Sequence, residues 1–232
     1  MRLILFDIDG TLLDCGRQVR PLLAGALEQV YGTAGDIDAY DFAGKPDPRI
    51  VLDLMTGAGI ERGAILGQLP RLQALYLEAL ELGLRVERMR LLPGVREVLD
   101  RLARQSSVTL GLVTGNWEAG ARIKLGRLGL NDYFAFGAFG DDGSERSLLP
   151  PIAQARATAH TGSEFTAEEI LIVGDSLLDV ECARHNGLRS LAVATGHTAA
   201  GALAAAGADW VIADLFEAHL CAPIFSAWAI GS

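Results

Sequence analysis

The sequence predicts an α/β fold, a doubly wound parallel sheet, joined to a separate helical module. Three observations carry this prediction. A wholly apolar run, Leu3-Ile4-Leu5-Phe6, stands at the N-terminus with no helix before it. From Leu92 onward, similar short runs alternate with segments whose apolar residues recur every three or four positions. Between Cys15 and about Leu91 the alternation stops and helical periodicity dominates. Strands apolar on both sides belong to parallel sheets covered by helices on both faces, and such sheets bind ligands at the carboxyl ends of their strands.

Taken in order, the first strand covers 3–6. Segments 22–31, 48–55 and 70–82 have helical spacing, and Pro21, Pro48 and Pro70 stand where first helical turns would begin, a place where the missing amide hydrogen does no harm. Pro93-Gly94 opens a helix over 95–104, followed by a strand at 108–113. A helix over 117–128 stops at Gly129, and 133–139 is strand-like. Pro150-Pro151 sits in the first turn of a helix over 149–161. The strand 170–173 leads to a helix over 178–186 stopped by Gly187, then a strand at 190–194. A last pair follows, the helix 199–206 closed by Gly207 and the strand 210–213.

With 232 residues, half of them hydrophobic, the chain can bury one substantial core and carry a smaller module. Its formal charge of −9 argues against a polyanion-binding surface, so no nucleic-acid partner is expected. No apolar run approaches the ~18 residues that span a bilayer, and Met1-Arg2 enters a strand directly rather than a secretory signal. No membrane association and a cytoplasmic location are therefore expected. Cys15, Cys182 and Cys221 are far apart and odd in number, which fits a reducing compartment rather than a disulfide framework or a zinc site. His160, His185, His197 and His219 show no metal-ligand spacing, and Gly57-Ala58-Gly59 with Gly63 misses the spacing of a dinucleotide loop.

The chemistry concentrates at three strand ends. Asp7 and Asp9 follow the first strand, with Ile8 turned away from both by the alternation of side chains, and Gly10 frees the backbone to leave the strand abruptly. Acids at a buried strand edge are unfavourable without a cation or a reaction to serve. The strand 108–113 delivers Thr114-Gly115-Asn116. The strand 170–173 delivers Gly174-Asp175 and, four residues on, Asp179. Helical spacing puts these two acids on one side of a helix start, where negative charge suits the helix dipole.

In this order and context the three strings resemble the motifs of the haloacid dehalogenase superfamily, in its phosphatase branch. The resemblance covers nearly the whole chain. It implies a Rossmann-like core formed by 1–14 and 92–232, with 15–91 as a small α-helical cap domain matched by position, size and helicity. It further implies that Asp7 attacks phosphorus, that Asp9 is the general acid and base, and that Thr114, Gly115 and Asn116 bind phosphate oxygens. A magnesium ion would be held by Asp7, the backbone carbonyl of Asp9 and Asp175, with Asp179 holding a metal-bound water or orienting its neighbours. Such an ion offsets the repulsion between a carboxylate and a phosphate, about 4 kcal/mol per unit-charge pair at ~4 Å in an effective dielectric near 20.

The family also places a basic residue, usually lysine, against nucleophile and phosphate. Lysine occurs only at Lys45 and Lys124, and Lys124 is read onto the solvated face of the helix over 118–128. Arg146, in the polar segment 143–150, is the expected occupant, since a guanidinium fork binds phosphate in two places; Arg156 is the reserve. The loop 42–49, with Lys45 and Arg49 among glycine and prolines, is expected to read the substrate.

The implied activity is magnesium-dependent hydrolysis of a small-molecule phosphate ester through an aspartyl phosphate on Asp7. Phosphoglycolate is the ester a small helical cap with a basic loop suggests, beside sugar phosphates and nucleotides. A phosphosugar mutase would use the same two acids, and a phosphonate hydrolase would use Lys45 to form a Schiff base. A dehalogenase would not need Asp9 as a proton donor. A non-catalytic module of this fold would have lost one of Asp7, Asp9 or Asp175, and all are present.

Overall fold

The computed structural model describes residues 1–220; Cys221 and the side chain of His219 lie outside the described residues. Six strands form a parallel sheet: β1 (Arg2–Phe6), β4 (Val108–Val113), β5 (Gly137–Ala138), β6 (Ile170–Gly174), β7 (Arg189–Val193) and β8 (Trp210–Ile212). Their order is β5-β4-β1-β6-β7-β8, so β1 is central, paired with β4 on one side and β6 on the other.

Side-chain alternation along β1 divides the core into two layers. Ile4 and Phe6 join the cluster that holds α4 (Val95–Ala103) and the buried face of α5 (Glu118–Arg127), while Leu3 and Leu5 pack with α6 (Leu149–Thr161) and α7 (Leu177–His185). The alternation read in the sequence thus produces helices on both faces. The short helices α8 (Ala200–Ala205) and α9 (Leu215–Leu220) complete the described chain.

The chain leaves the sheet through β2 (Leu13–Asp14) and returns through β3 (Arg90–Leu91), which pair antiparallel as a two-residue ribbon reinforced by an Arg90–Asp14 ion pair at 2.8 Å. Between them lie α1 (Val19–Tyr31), α2 (Asp47–Gly57) and α3 (Arg62–Gly83). These helices pack on one another, and their apolar residues belong to the same continuous cluster as Ile4 and Phe6 of the sheet. Tyr76 of α3 meets Trp117 at a ring separation of 5.8 Å.

Two expectations need correction. Pro70 does not begin a helix but lies inside α3, which starts earlier because the Glu61 carboxylate accepts from the Ala64 amide and Ile65 is fully buried. Burial of Ile65, the Glu61 cap and the backbone bonds of that added segment offset the hydrogen bond lost at proline. The segment 133–139 is strand only at Gly137–Ala138. Phe134, Phe136 and Phe139 are buried by a largely irregular segment; Arg122 donates to the Phe134 carbonyl and Arg156 to that of Gly137, while the Phe136 and Ala138 carbonyls accept from the Leu112 and Thr114 amides. Among the described residues no helix is long and apolar enough to cross a membrane.

Candidate active site

All three sequence motifs end at one edge of the sheet. The Asp7 amide still donates to the Val173 carbonyl (2.9 Å), so Asp7 is fixed by the ladder just past β1, and its side chain is 7% exposed. Ile8 enters the apolar core, and Asp9 emerges on the solvent side with its side chain 40% exposed. Gly10 then turns the chain at φ +85°, and a Cβ there would overlap the Asp175 carboxylate. The glycine therefore serves both the turn and the close approach of two motifs.

Asp7, Asp175 and Asp179 bring ligand oxygens within 4.8 Å of one another, all three residues buried. Thr11 Oγ1 donates to Asp175 (3.0 Å). Asp179 accepts from the Ser176 amide and hydroxyl at 3.0 and 2.6 Å, in the capping box that starts α7. Arg146 is the counterion: its Nη2 lies 2.9 Å from Asp7 and 2.5 Å from Asp179, and it also donates to the carbonyls of Val113 (3.1 Å) and Gly44 (2.9 Å). Its Nε is buried with no partner among the described residues.

One guanidinium does not neutralise three buried carboxylates. Burial pushes Asp7 up to about 6, against the pull of Arg146, with the neighbouring Asp179 and Asp9 adding to the rise. Burial, then Asp7 and Asp179, push Asp175 up to about 8. A dication among these oxygens would relieve both, and an all-oxygen, anionic donor set suits magnesium. The group thus fits such an ion, with the Asp179 carboxylate inside the cluster next to Asp7 and Asp175.

The Asp9 carboxylate is not part of that cluster. Lys124 Nζ contacts its Oδ2 at 2.7 Å, Asn116 Nδ2 donates to the same oxygen at 2.8 Å, and Lys124 Nζ donates to Asn116 Oδ1 at 2.6 Å. Lys124 is therefore not on a solvated face: it is 3% exposed. The sequence held the signal, because Gly120, Ala121 and Leu125 are small or apolar at positions sharing a helical face with Lys124, and all are buried with it. Burial works against the ammonium charge, but Asp9 together with Tyr76, Cys15 and Asp47 outweighs it and holds Lys124 above its ordinary range.

Thr114 is fully buried; its amide donates to the Ala138 carbonyl and its hydroxyl accepts from Asn116 Nδ2 at 2.8 Å. The loop 42–49 presses on this segment. Gly115 has no Cβ to collide with the Lys45 carbonyl, the Asp47 amide donates to the Gly115 carbonyl (2.7 Å), and the Asp47 carboxylate accepts from the Trp117 amide (2.8 Å). The Lys45 ammonium lies over the Tyr40 ring, 4.1 Å from its centroid, and Arg49 is paired with Asp53 at 2.7 Å. Arg156 is bound to Asp142, away from the carboxylate cluster. The structure brings together Asp7, Arg146, Asp175 and Asp179 in one group and Asp9, Asn116 and Lys124 in another. It directs the Lys45 and Arg49 side chains to other partners.

A family model described as haloacid dehalogenase-like hydrolase matches residues 4–193. The chain is 30% identical over 227 residues to a phosphoglycolate phosphatase of Synechococcus elongatus, covering 94% of this chain and 97% of that protein. Among solved structures, a haloacid dehalogenase-like hydrolase from Bacteroides fragilis superposes with a TM-score of 0.71 at 23% identity, covering 94% of this chain and 99% of that one. A protein assigned as a β-phosphoglucomutase from Thermotoga maritima does so with a TM-score of 0.62 at 22% identity, over 97% and 99% of the two chains. At these identities the two superpositions bear on the fold alone.

Proposed function

The chain belongs to the haloacid dehalogenase-like hydrolases and is a phosphatase of that family; we propose that it hydrolyses a small phosphate monoester with the help of magnesium, and that phosphoglycolate is the first ester to test. The observation that carries this reading is the buried group Asp7, Asp175, Asp179 and Arg146 at the strand ends, within one loop of Asp9. The substrate follows from the phosphoglycolate phosphatase relative aligned over nearly the whole chain.

In this mechanism Asp7 is the nucleophile. Its carboxylate attacks phosphorus in line, the bond to the ester oxygen breaks, and Asp9 gives that oxygen a proton, leaving an aspartyl phosphate and an alcohol. Asp9 then takes a proton from the water that hydrolyses the aspartyl phosphate. Arg146 holds Asp7 in place and neutralises part of its charge. Thr114 and the Gly115-Asn116 segment offer further contacts to the phosphoryl group. Magnesium, when bound through Asp7, the Asp9 carbonyl and Asp175 with Asp179 adjacent, supplies charge neutralisation of nucleophile and phosphate. Residues 15–91 serve as a cap over the core that 1–14 and 92–220 form, and the loop 42–49 is its substrate-facing edge. Composition and the expected reducing environment suit a cytoplasmic enzyme.

The test is phosphate release from a panel of monoesters that includes phosphoglycolate, with magnesium and with chelator. Magnesium-dependent turnover is expected, lost in Asp7→Asn. Turnover unchanged after exhaustive chelation would remove the metal from the mechanism, and a phosphate trapped on a residue other than Asp7 would remove Asp7 as nucleophile.

A further inference from the structure

Asp9 must meet a departing oxygen at one moment and a water at the next, so its carboxylate has to be held in one orientation. Yet it is the most open of the acids: its side chain is 40% exposed, against 7% for Asp7 and 3% for Asp179. An exposed side chain on a turn ordinarily samples several rotamers, and ordering it has an entropic cost. Here Asp9, Asn116 and Lys124 close a triangle in which each touches the other two, at 2.6 to 2.8 Å. Lys124 reaches this point from the middle of α5, its stem buried beside Ala121 and Leu125. Both donors hold the same oxygen, Oδ2; Oδ1 is the one neither holds.

Resting on the reading of Asp9 as acid and base, we propose that Lys124 is a positioning residue for proton transfer: with Asn116 it pins Oδ2 of Asp9, and Oδ1 is the atom that carries the proton. In the first half-reaction Oδ1–H protonates the ester oxygen as its bond to phosphorus breaks and the Asp7–phosphorus bond forms. In the second, Oδ1 takes a proton from water as the water oxygen bonds to phosphorus and the Asp7–phosphorus bond breaks. Oδ2 keeps its two donors throughout, because a carboxylic acid still accepts through its carbonyl oxygen. Lys124 touches neither phosphate nor the Asp7 cluster in this scheme.

The test is a double-mutant cycle read on two kinds of ester. Parent, Lys124→Met, Asp9→Asn and the double variant are assayed on an alkyl phosphate, whose leaving group needs a proton, and on a strongly activated aryl phosphate, whose leaving group does not. Lys124→Met should lose roughly tenfold or more in kcat/KM on the alkyl ester and less than about threefold on the activated one, since positioned proton transfer contributes ~10²–10⁴ only where a proton moves. On the alkyl ester, adding Lys124→Met to Asp9→Asn should cause no further loss. An equal loss on both esters, or the full extra loss in the Asp9→Asn background, would show a purely structural lysine and overturn the proposal. If Asp9→Asn alone turns over the alkyl ester at the parent rate, the reading of Asp9 falls and the proposal with it. Methionine keeps the stem's volume, and the Asp9 it leaves is partly solvated. Lys124→Gln, which retains a donor, enters the same cycle if the methionine variant does not fold.

Discussion

Arg146 Nη2 lies 2.9 Å from Asp7 Oδ1, with both side chains almost fully buried, and the same nitrogen holds Asp179. Removing one partner of a buried pair strands the others. Arg146→Ala should therefore destabilise the protein by roughly 3–5 kcal/mol and abolish turnover. Arg146→Lys keeps the charge but offers a single point where the guanidinium reaches the Gly44 and Val113 carbonyls as well as both acids. It should retain measurable activity with a raised KM. Denaturant unfolding and steady-state kinetics check both variants, and an alanine variant as stable as the parent would contradict the structural part.

Asp175 gives the metal-free protein a defined pH dependence. Its folded-state pKa, about 8, lies above the ordinary 3.8, so folding favours its protonated form. The corresponding stability is fully present below the ordinary value and is lost as pH rises through about 8. Asp7, raised to about 6, acts in the same direction. Relative to Asp175→Asn, the metal-free parent should lose stability between those limits, and magnesium should diminish the loss. Unfolding midpoints at several pH values, with chelator and with magnesium, measure this; a difference that does not vary with pH would contradict it.

Asp47 fastens the loop 42–49 to the segment 114–117 through the Gly115 carbonyl and the Trp117 amide. Its carboxylate acts as a helix cap supplied from outside α5, and losing a cap costs about 0.5–2 kcal/mol. Asp47→Ala should lower stability by an amount of that order and raise KM for an alkyl phosphate more than it lowers kcat. Asp47→Asn, which keeps an acceptor, should do less. An unchanged KM would separate this loop from substrate binding.

The parallel sheet and the carboxylate cluster were legible in the sequence because both rest on local patterns. Apolar runs of four to six residues define β1, β4 and β6, and each ends in its motif. Elimination of the lysines points to Arg146, which the structure places 2.9 Å from Asp7, although Lys124 is buried rather than solvated. The small and apolar face of Gly120, Ala121 and Leu125 marks Lys124 as buried, whereas the partner that makes a buried ammonium tolerable, Asp9, lies 115 positions away in sequence. Interactions at that separation leave no periodic trace. The strand expected at 133–139 failed for a related reason: its aromatic residues are enriched for core packing, which an irregular segment satisfies as well as a strand does. The side chain of Lys45 lies over Tyr40, just ahead of its loop, and composition alone gives no hint of that.

Tyr76 packs against Trp117 within an apolar cluster that runs unbroken from the sheet into α1, α2 and α3. Residues 15–91 are therefore not a cassette. Helices transplanted from a relative would arrive without side chains fitted to Trp117 and Gly120, which Tyr76, Leu77 and Leu80 of α3 cover, and the recipient would expose that surface to water. The two parts should melt as one unit, in a single calorimetric transition rather than two. Changes aimed at another ester therefore have to leave this shared interior intact.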